Sequence, residues 1–452
     1  MVGSAKGIHL FIMALIAPFR GLLYSPDKIS DLSQVVAPPY DVITPGEQEK
    51  LYQKSPHNVV RLILNRDPDS YASVARIFEQ WQTETVLKRD ENPAIYFMRH
   101  RFSLKDGEQK ERLGFVALTR IEDLSSGTIR PHEKTLDEPK EDRFRLLQAC
   151  QANLSQIFAL YADSQQTINR LLLECVNEIP PLFQATDGGG GACLLWRITD
   201  KAIIRRLQRE MEDKVLLIAD GHHRYEAAMR YRDSLRAKLP NVTGRESFNY
   251  VMMYLANLTD NGVVILPTHR LMRTLPAIPN LDEALRRYFY LEAYPKSAEG
   301  KQWFLKALKN GAKKRPLIGV SFKRDPRYLI LRVKNKRTMQ RIAKGMTPAL
   351  RELDVMILHL LVFEHVLGLS PEEQVKRDTL SYLHDEDQAL QAVESGACQA
   401  AFILNPPRAE EALTVALQGE KMPQKSTYFY PKLPTGFVMN KIDPAEEVAG
   451  EL

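Results

Sequence analysis

Between residues 215 and 228 an all-apolar run, a polar cluster and a helix start follow one another without a break, and this stretch constrains the fold most. Val215-Leu-Leu-Ile-Ala219 is short, uninterrupted and bounded by polar residues, the pattern of a strand buried on both faces. It runs into Asp220-Gly221-His222-His223-Arg224, and helical spacing is expected over 225–235. A strand that turns tightly into a helix presents backbone N–H groups at the helix N-terminus, where an anion is favoured. Gly221 permits positive φ and close approach of a ligand. Arg224 can form a two-point pair with phosphate, and His222 and His223 can donate to phosphate oxygens or relay protons. Asp220 could orient a histidine, hold Mg²⁺ or cap the helix. Zinc is disfavoured, because adjacent histidines at a helix start diverge, unlike an i, i+4 pair.

The bulk composition supports a folded chain. With 452 residues, 44% hydrophobic and 26% charged, a sizeable core and more than one compact region are expected. A net charge of +6 is thin over this length, and the basic groups Arg205-Arg206 and 313–315 are short. That disfavours a nucleic-acid footprint without excluding it. Cys150, Cys175, Cys193 and Cys398 lack paired spacing, which suits a reducing, cytoplasmic location. No apolar run approaches the length of a membrane span. The apolar residues 8–17 lack a signal-peptide pattern, so Met13 is the expected start and 14–19 the first strand.

The fold class expected is α/β, with α+β as the alternative: a mixed sheet carrying the strand-loop-helix site, plus further α/β elements. Residues 1–12 form an extension, 13–125 an N-terminal α/β region, 126–270 the core with the phosphate loop, and 271–452 a C-terminal α/β region, unless all join in one compact unit. Strands are expected at 34–40, 59–64, 94–101, 112–120, 156–161, 192–198, 250–258, 263–267 and 402–405, and helices at 45–55, 71–87, 143–153 and 353–367. Asp187-Gly-Gly-Gly-Gly191 has no following Lys-Ser/Thr and reads as a flexible turn, not a P-loop.

Asp220-Gly-His-His-Arg224 with Tyr225-Glu-Ala-Ala228 resembles the signature loop of the ParB/sulfiredoxin superfamily, where the loop holds nucleotide phosphates. ParB proteins show Gly-Glu-Arg-Arg-x-Arg-Ala, so His222, His223 and Glu226 depart from that pattern. Sulfiredoxin has Gly-Cys-His-Arg, and His222 stands where its nucleophilic cysteine would be. The Asp-Gly-His-x-Arg loop of the free serine kinases matches best. A second resemblance runs over almost the whole chain from Met13. Ala37-Pro-Pro-Tyr-Asp41, His132-Glu-Lys-Thr135, Lys140-Glu-Asp-Arg143, residues 218–225, Leu266-Pro-Thr-His-Arg270 and Lys425-Ser-Thr-Tyr-Phe429 together resemble an uncharacterised bacterial family, domain of unknown function 1015.

Further candidates lie outside the loop. Glu133, beside His132, is placed to act as a general base or metal ligand, or it belongs to a solvated acidic loop. Arg143 could reach a phosphate or pair with an acid. His269 and Arg270 follow a strand end, where α/β sites are built. Lys425 opens a run of hydroxyls and aromatics that could close over a base. The expected function is a nucleotide-dependent phosphotransferase acting on a small hydroxylated metabolite such as serine. The resemblance implies ATP or ADP, with Mg²⁺ held by Asp220. Glu133, His132 and His223 would be catalytic, and Asp220, Gly221, His222, His223, Arg224, Arg143, His269, Arg270 and Lys425 would bind phosphate or nucleotide. The partners expected are the nucleotide and the small substrate, with no membrane and an oligomeric state left open. Two alternatives stand beside this: a ParB-like, nucleotide-gated binding protein without turnover, and a phosphatase or hydrolase using the same anion site. The first needs a helix-turn-helix, for which 360–373 is the candidate.

Overall fold

Largely apolar strands between residues 95 and 257, joined by Ile16–Ala17, build a nine-stranded mixed sheet, as the α/β expectation required. The computed structural model describes residues 14–135, 137–312, 316–374, 376 and 379–448. The expected extension 1–12, Met13 and the basic run 313–315 lie outside them. The chain divides into two units. The first is Met1–Pro131, Thr135–Val264 and Pro431–Leu452, and the second is His132–Lys134 and Ile265–Tyr430.

The strands of this sheet, all in the first unit, are β1 (Ile16–Ala17), β2 (Ile95–Ser103), β3 (Gln109–Arg120), β4 (Ile129–Pro131), β5 (Ile157–Tyr161), β6 (Phe183–Thr186), β7 (Ala192–Ile198), β8 (Leu216–Asp220) and β9 (Tyr250–Asn257). Their order is β4-β8-β5-β9-β3-β2-β7-β6, with β1 paired to β3. Parallel pairing joins β8 to β4 and β9 to β5, and the other neighbours are antiparallel. On one face Phe97, Phe115, Ile157, Ala159, Leu216, Ile218 and Met253 form a core with the helices α1 (Asp137–Cys150) and α2 (His222–Arg236). His100, Arg112, Tyr254 and Phe158 fall on the opposite face by register and are all buried. Gly114 shares that face, and a Cβ there would sit 2.7 Å from the Leu255 carbonyl oxygen and against the Tyr254 ring.

A bulge decides where the end of β8 points. Leu217 pairs with Leu160 and Ile218 with Ala159, but Asp220 pairs with Phe158, so Ala219 is the extra residue. In unbroken alternation Asp220 would follow Leu216 and Ile218 into the apolar core. The extra residue moves it to the face of Leu217 and Phe158 instead.

Several expected elements are corrected. Residues 59–64 hold a helical turn, Val60–Ile63, not a strand, because the Asn58 side chain accepts from the Val60 amide at 3.0 Å and sets a helical start. A short buried apolar run does not distinguish the two by periodicity. Over 34–40 there is no extended strand; two 3₁₀ turns, Leu32–Gln34 and Tyr40–Val42, flank a single bridge at Ala37. The helix expected at 143–153 begins at Asp137, which puts Arg143 in its second turn. The helix expected at 353–367 is α-helical over Asp354–Ile357 and π-helical over Leu358–Val366. It is followed by Pro371–Gln374, one turn long. Among the described residues of the candidate 360–373, the second helix is thus a single turn, shorter than a recognition helix.

The second unit holds an antiparallel sheet of β10 (His269–Met272), β11 (Phe289–Pro295), β12 (Ile318–Phe322), β13 (Arg327–Val333), β14 (Ser381–Leu383) and β15 (Ala400–Leu404). Their order is β11-β13-β12-β15-β10-β14. Its core joins Leu271, Phe304, Tyr328, Leu390 and Ile403, with Phe304 and Tyr328 stacked at 5.2 Å. Among the described residues no helix is long and apolar enough to cross a membrane.

Gly114→Ala is expected to destabilise the first unit by about 1–3 kcal/mol through overpacking against Tyr254 and the Leu255 carbonyl. Urea unfolding checks this, and an unchanged midpoint would show that the ring has room to move.

Candidate functional site

The turn between β8 and α2 is a single residue. Gly221 has φ +91° and starts α2, so His222, His223 and Arg224 occupy the first helical turn and not a loop ahead of it. No side chain caps this helix start, and Asp220 does not serve as its cap. Tyr225 fixes the turn from below: its hydroxyl donates to the Glu122 carbonyl at 2.6 Å and accepts from the Glu122 amide at 3.0 Å.

Asp220 is the centre of a charged cluster. Arg224 Nη2 donates to its Oδ2 at 2.6 Å, and Lys432 Nζ donates to its Oδ1. Arg224 Nη1 donates to the carbonyl of Gln156. Arg224 Nε is buried and has no hydrogen-bond partner among the described residues. The Asp220, Arg224 and Lys432 side chains are each 15% exposed, so the cluster is sheltered but reachable. The guanidinium folds back over the turn, and a Cβ at 221 would lie 2.9 Å from Nη2. Only glycine meets both demands, the left-handed backbone and the close approach. Burial pushes the Asp220 carboxyl up, but the charges of Lys432 and Arg224 outweigh it and hold the group below the usual carboxylate range.

Tyr40, from the Pro-Pro-Tyr-Asp corner, belongs to the same neighbourhood. The Arg143 guanidinium lies 3.9 Å from its ring centroid. Burial raises the Tyr40 pKa against the fields of Arg143 and Arg224. Arg143 also pairs with Asp142 and donates to the Ile63 carbonyl at 3.3 Å. Arg143 and Arg224 both line a cavity of about 50 Å³. A nucleotide needs several hundred Å³, so this space could take no more than a small group. Thr135 donates to both oxygens of Glu226 on α2, at 2.9 and 3.0 Å.

The remaining candidates fall in the second unit. Glu133 accepts from the amides of Lys425 (3.3 Å), Ser426 (3.1 Å) and Thr427 (3.0 Å) and from the Thr427 hydroxyl (2.9 Å). His132 is fully buried, with Nε2 2.7 Å from the Thr427 hydroxyl. Lys425 itself is exposed and sits at φ +57°, at the start of the turn that wraps Glu133. His269 and Arg270 are 1% exposed. His269 Nδ1 accepts from the Leu404 amide at 3.3 Å. Arg270 donates to the carbonyls of Thr268 and Lys425, and burial pushes its pKa down to about 10. Among the described residues no group of three or more His, Cys, Asp or Glu side chains is arranged to hold a metal ion. Both Asp220 oxygens take a cation from the protein, Arg224 on one and Lys432 on the other.

The structure therefore brings Asp220, Gly221, His222, His223, Arg224 and Arg143 into one unit, and His132, Glu133, His269, Arg270 and Lys425 into the other. Sequence reasoning missed Lys432, although the lysine-rich run 425–432 contained it.

Asp220→Asn is expected to leave Lys432 and Arg224 without their counter-charge and to lower stability at pH 7 by about 3 kcal/mol. Because the folded pKa lies below the unfolded value of 3.8, this contribution is present above that value and fades as pH falls through the folded pKa. Urea midpoints from pH 7 down to 2 should draw closer together for the two proteins once pH falls below 3.8. Parallel curves would show that Asp220 carries no such coupling.

A search of curated proteins returns no match. Solved structures similar to this chain include a conserved hypothetical protein from Pyrococcus furiosus, at 14% identity and TM-score 0.35, covering 72% of this chain and 95% of the other. A free serine kinase in complex with AMP matches at 12% identity and TM-score 0.36, covering 73% and 91%. SbnI with C-terminal truncation from Staphylococcus aureus matches at 10% identity and TM-score 0.34, covering 72% and 87%. The family model described as "Protein of unknown function (DUF1015)" matches residues 16–356, and the chain belongs to that family.

Proposed function

We infer that the protein is a nucleotide-dependent phosphotransferase that anchors nucleotide phosphates at the start of α2, with a small hydroxylated metabolite as acceptor. One observation carries this: two cations, Arg224 and Lys432, converge on one carboxylate beside an uncapped helix N-terminus. The local charge is positive by one unit before the helix dipole is added. Arg224 Nε, buried and without a partner, is a donor that a phosphate oxygen would satisfy. The similarity of Asp220-Gly-His-His-Arg224 to the free serine kinase loop supports the same reading.

Phosphoryl transfer depends mostly on positioning and charge stabilisation. His222 and His223 on the first turn, with Arg224 and Lys432, would supply donors to the phosphate oxygens. Glu133 contributes in another way. Four hydrogen bonds hold its carboxylate against the 425–427 turn.

A thermal-shift series with ATP, ADP and inorganic phosphate, each with and without Mg²⁺, tests the reading. A ligand that binds only the native state at 100 times its Kd adds about 2.7 kcal/mol, enough for a clear rise in melting temperature. Arg224→Ala should abolish that rise. Phosphorus NMR on the ligand that binds, with serine and related hydroxyl compounds added, then separates transfer to a metabolite from release of phosphate to water. A nucleotide-induced rise that survives intact in Arg224→Ala would remove the turn from the mechanism.

A further inference from the structure

We propose that Arg112 is a positioning residue for Lys432, and that the glycine-rich turn at 187–191 governs it through His100; this rests on the phosphate reading above. Arg112 lies in β3 and is fully buried, an expensive place for a guanidinium. Its Nη2 donates to the Pro431 carbonyl at 2.9 Å and meets His100 Nδ1 at 3.2 Å. Its Cζ lies 5.0 Å from the Phe158 ring centroid, and Phe158 is the strand partner of Asp220. The peptide plane that starts at the Pro431 carbonyl ends at the Lys432 nitrogen. Proline fixes φ on the near side of that plane, so a bond to its carbonyl sets the direction in which Lys432 leaves.

His100 is fully buried, and its tautomer is set from the far side. Nε2 lies 2.8 Å from Asp187 Oδ2, so it carries the proton, and the Nδ1 lone pair faces Arg112. Asp187 is folded under its own turn: Oδ1 accepts from the amides of Gly189 and Gly191, both at 2.8 Å. Gly188 and Gly190 have φ of +83° and +91°, which lets the turn close over the carboxylate. The run that sequence alone reads as a flexible turn is thus the outer end of a chain of contacts. From Asp187 it passes to His100, Arg112, Pro431 and Lys432, and ends on Asp220.

The test is calorimetric ADP binding to the full chain and to Asp187→Asn, Lys432→Met and the double variant. If Arg112 acts through Lys432, Asp187→Asn weakens ADP binding on the order of fivefold, the scale of one lost hydrogen bond. The same change then has no effect once Lys432 is replaced, because coupled residues are non-additive. Equal losses in both backgrounds would mean general structural weakening and overturn the proposal. So would an unchanged affinity in Asp187→Asn alone. Should that variant not fold, His100→Phe keeps the ring, removes both nitrogens and carries the same comparison. Absence of ADP and phosphate binding to the unmodified protein would instead overturn the phosphate reading, and this proposal with it.

Discussion

Two cations press on the single carboxylate of Asp220, and the arrangement of the first unit around β8 and α2 follows from that. A carboxylate carried into the apolar layer between the sheet and α2 would lose its hydration with nothing to replace it. The bulge at Ala219 turns it away from that layer, Gly221 lets the chain reverse at once, and Arg224 folds back to meet it. Lys432 arrives from the end of the chain. Removing the carboxylate takes from Arg224 and Lys432 the anion that both bind in a sheltered place, which costs more than the pairs contribute.

The sequence showed the turn more clearly than the strands around it. An apolar run ending in Asp-Gly and followed by helix-compatible residues admits few local structures, and β8, the turn and α2 are where the pattern put them. Hairpin β2–β3 and strand β7 were also visible, from alternation and from the turns beside them. Val60–Ile63 was misread because a four-residue buried helix and a buried strand show much the same apolarity, and the bond from the Val60 amide to the Asn58 side chain is a local detail that periodicity does not carry. The bulge left no mark at all, since Ala219 is an ordinary residue for either face.

The candidate site was legible in part. Residue type and spacing at 220–224 identified the polar cluster, but could not say that Arg224 faces inward toward the Gln156 carbonyl. The pairings of Lys432 and Tyr40 were out of reach for a different reason. Their partners are distant in the chain, and pairing at long range is set by the sheet's register, which composition does not encode. Glu133 drew attention for its chemistry, and its grip on three consecutive amides was not visible in the sequence. His269 and Arg270 likewise became members of a buried strand.

The first unit is assembled from pieces that the second interrupts: Thr135–Val264 precedes Ile265–Tyr430, and Pro431–Leu452 comes back after it. During synthesis Asp220 therefore leaves the ribosome long before Lys432 exists. Until the last segment emerges, Asp220 has only Arg224, and Arg112 lacks the Pro431 carbonyl. Closing so long a loop costs little in the finished protein, because that entropy grows only logarithmically with length, but it postpones the contact. A nascent chain halted before residue 431 would hold the whole polar turn and still lack the ammonium that gives it a surplus of positive charge.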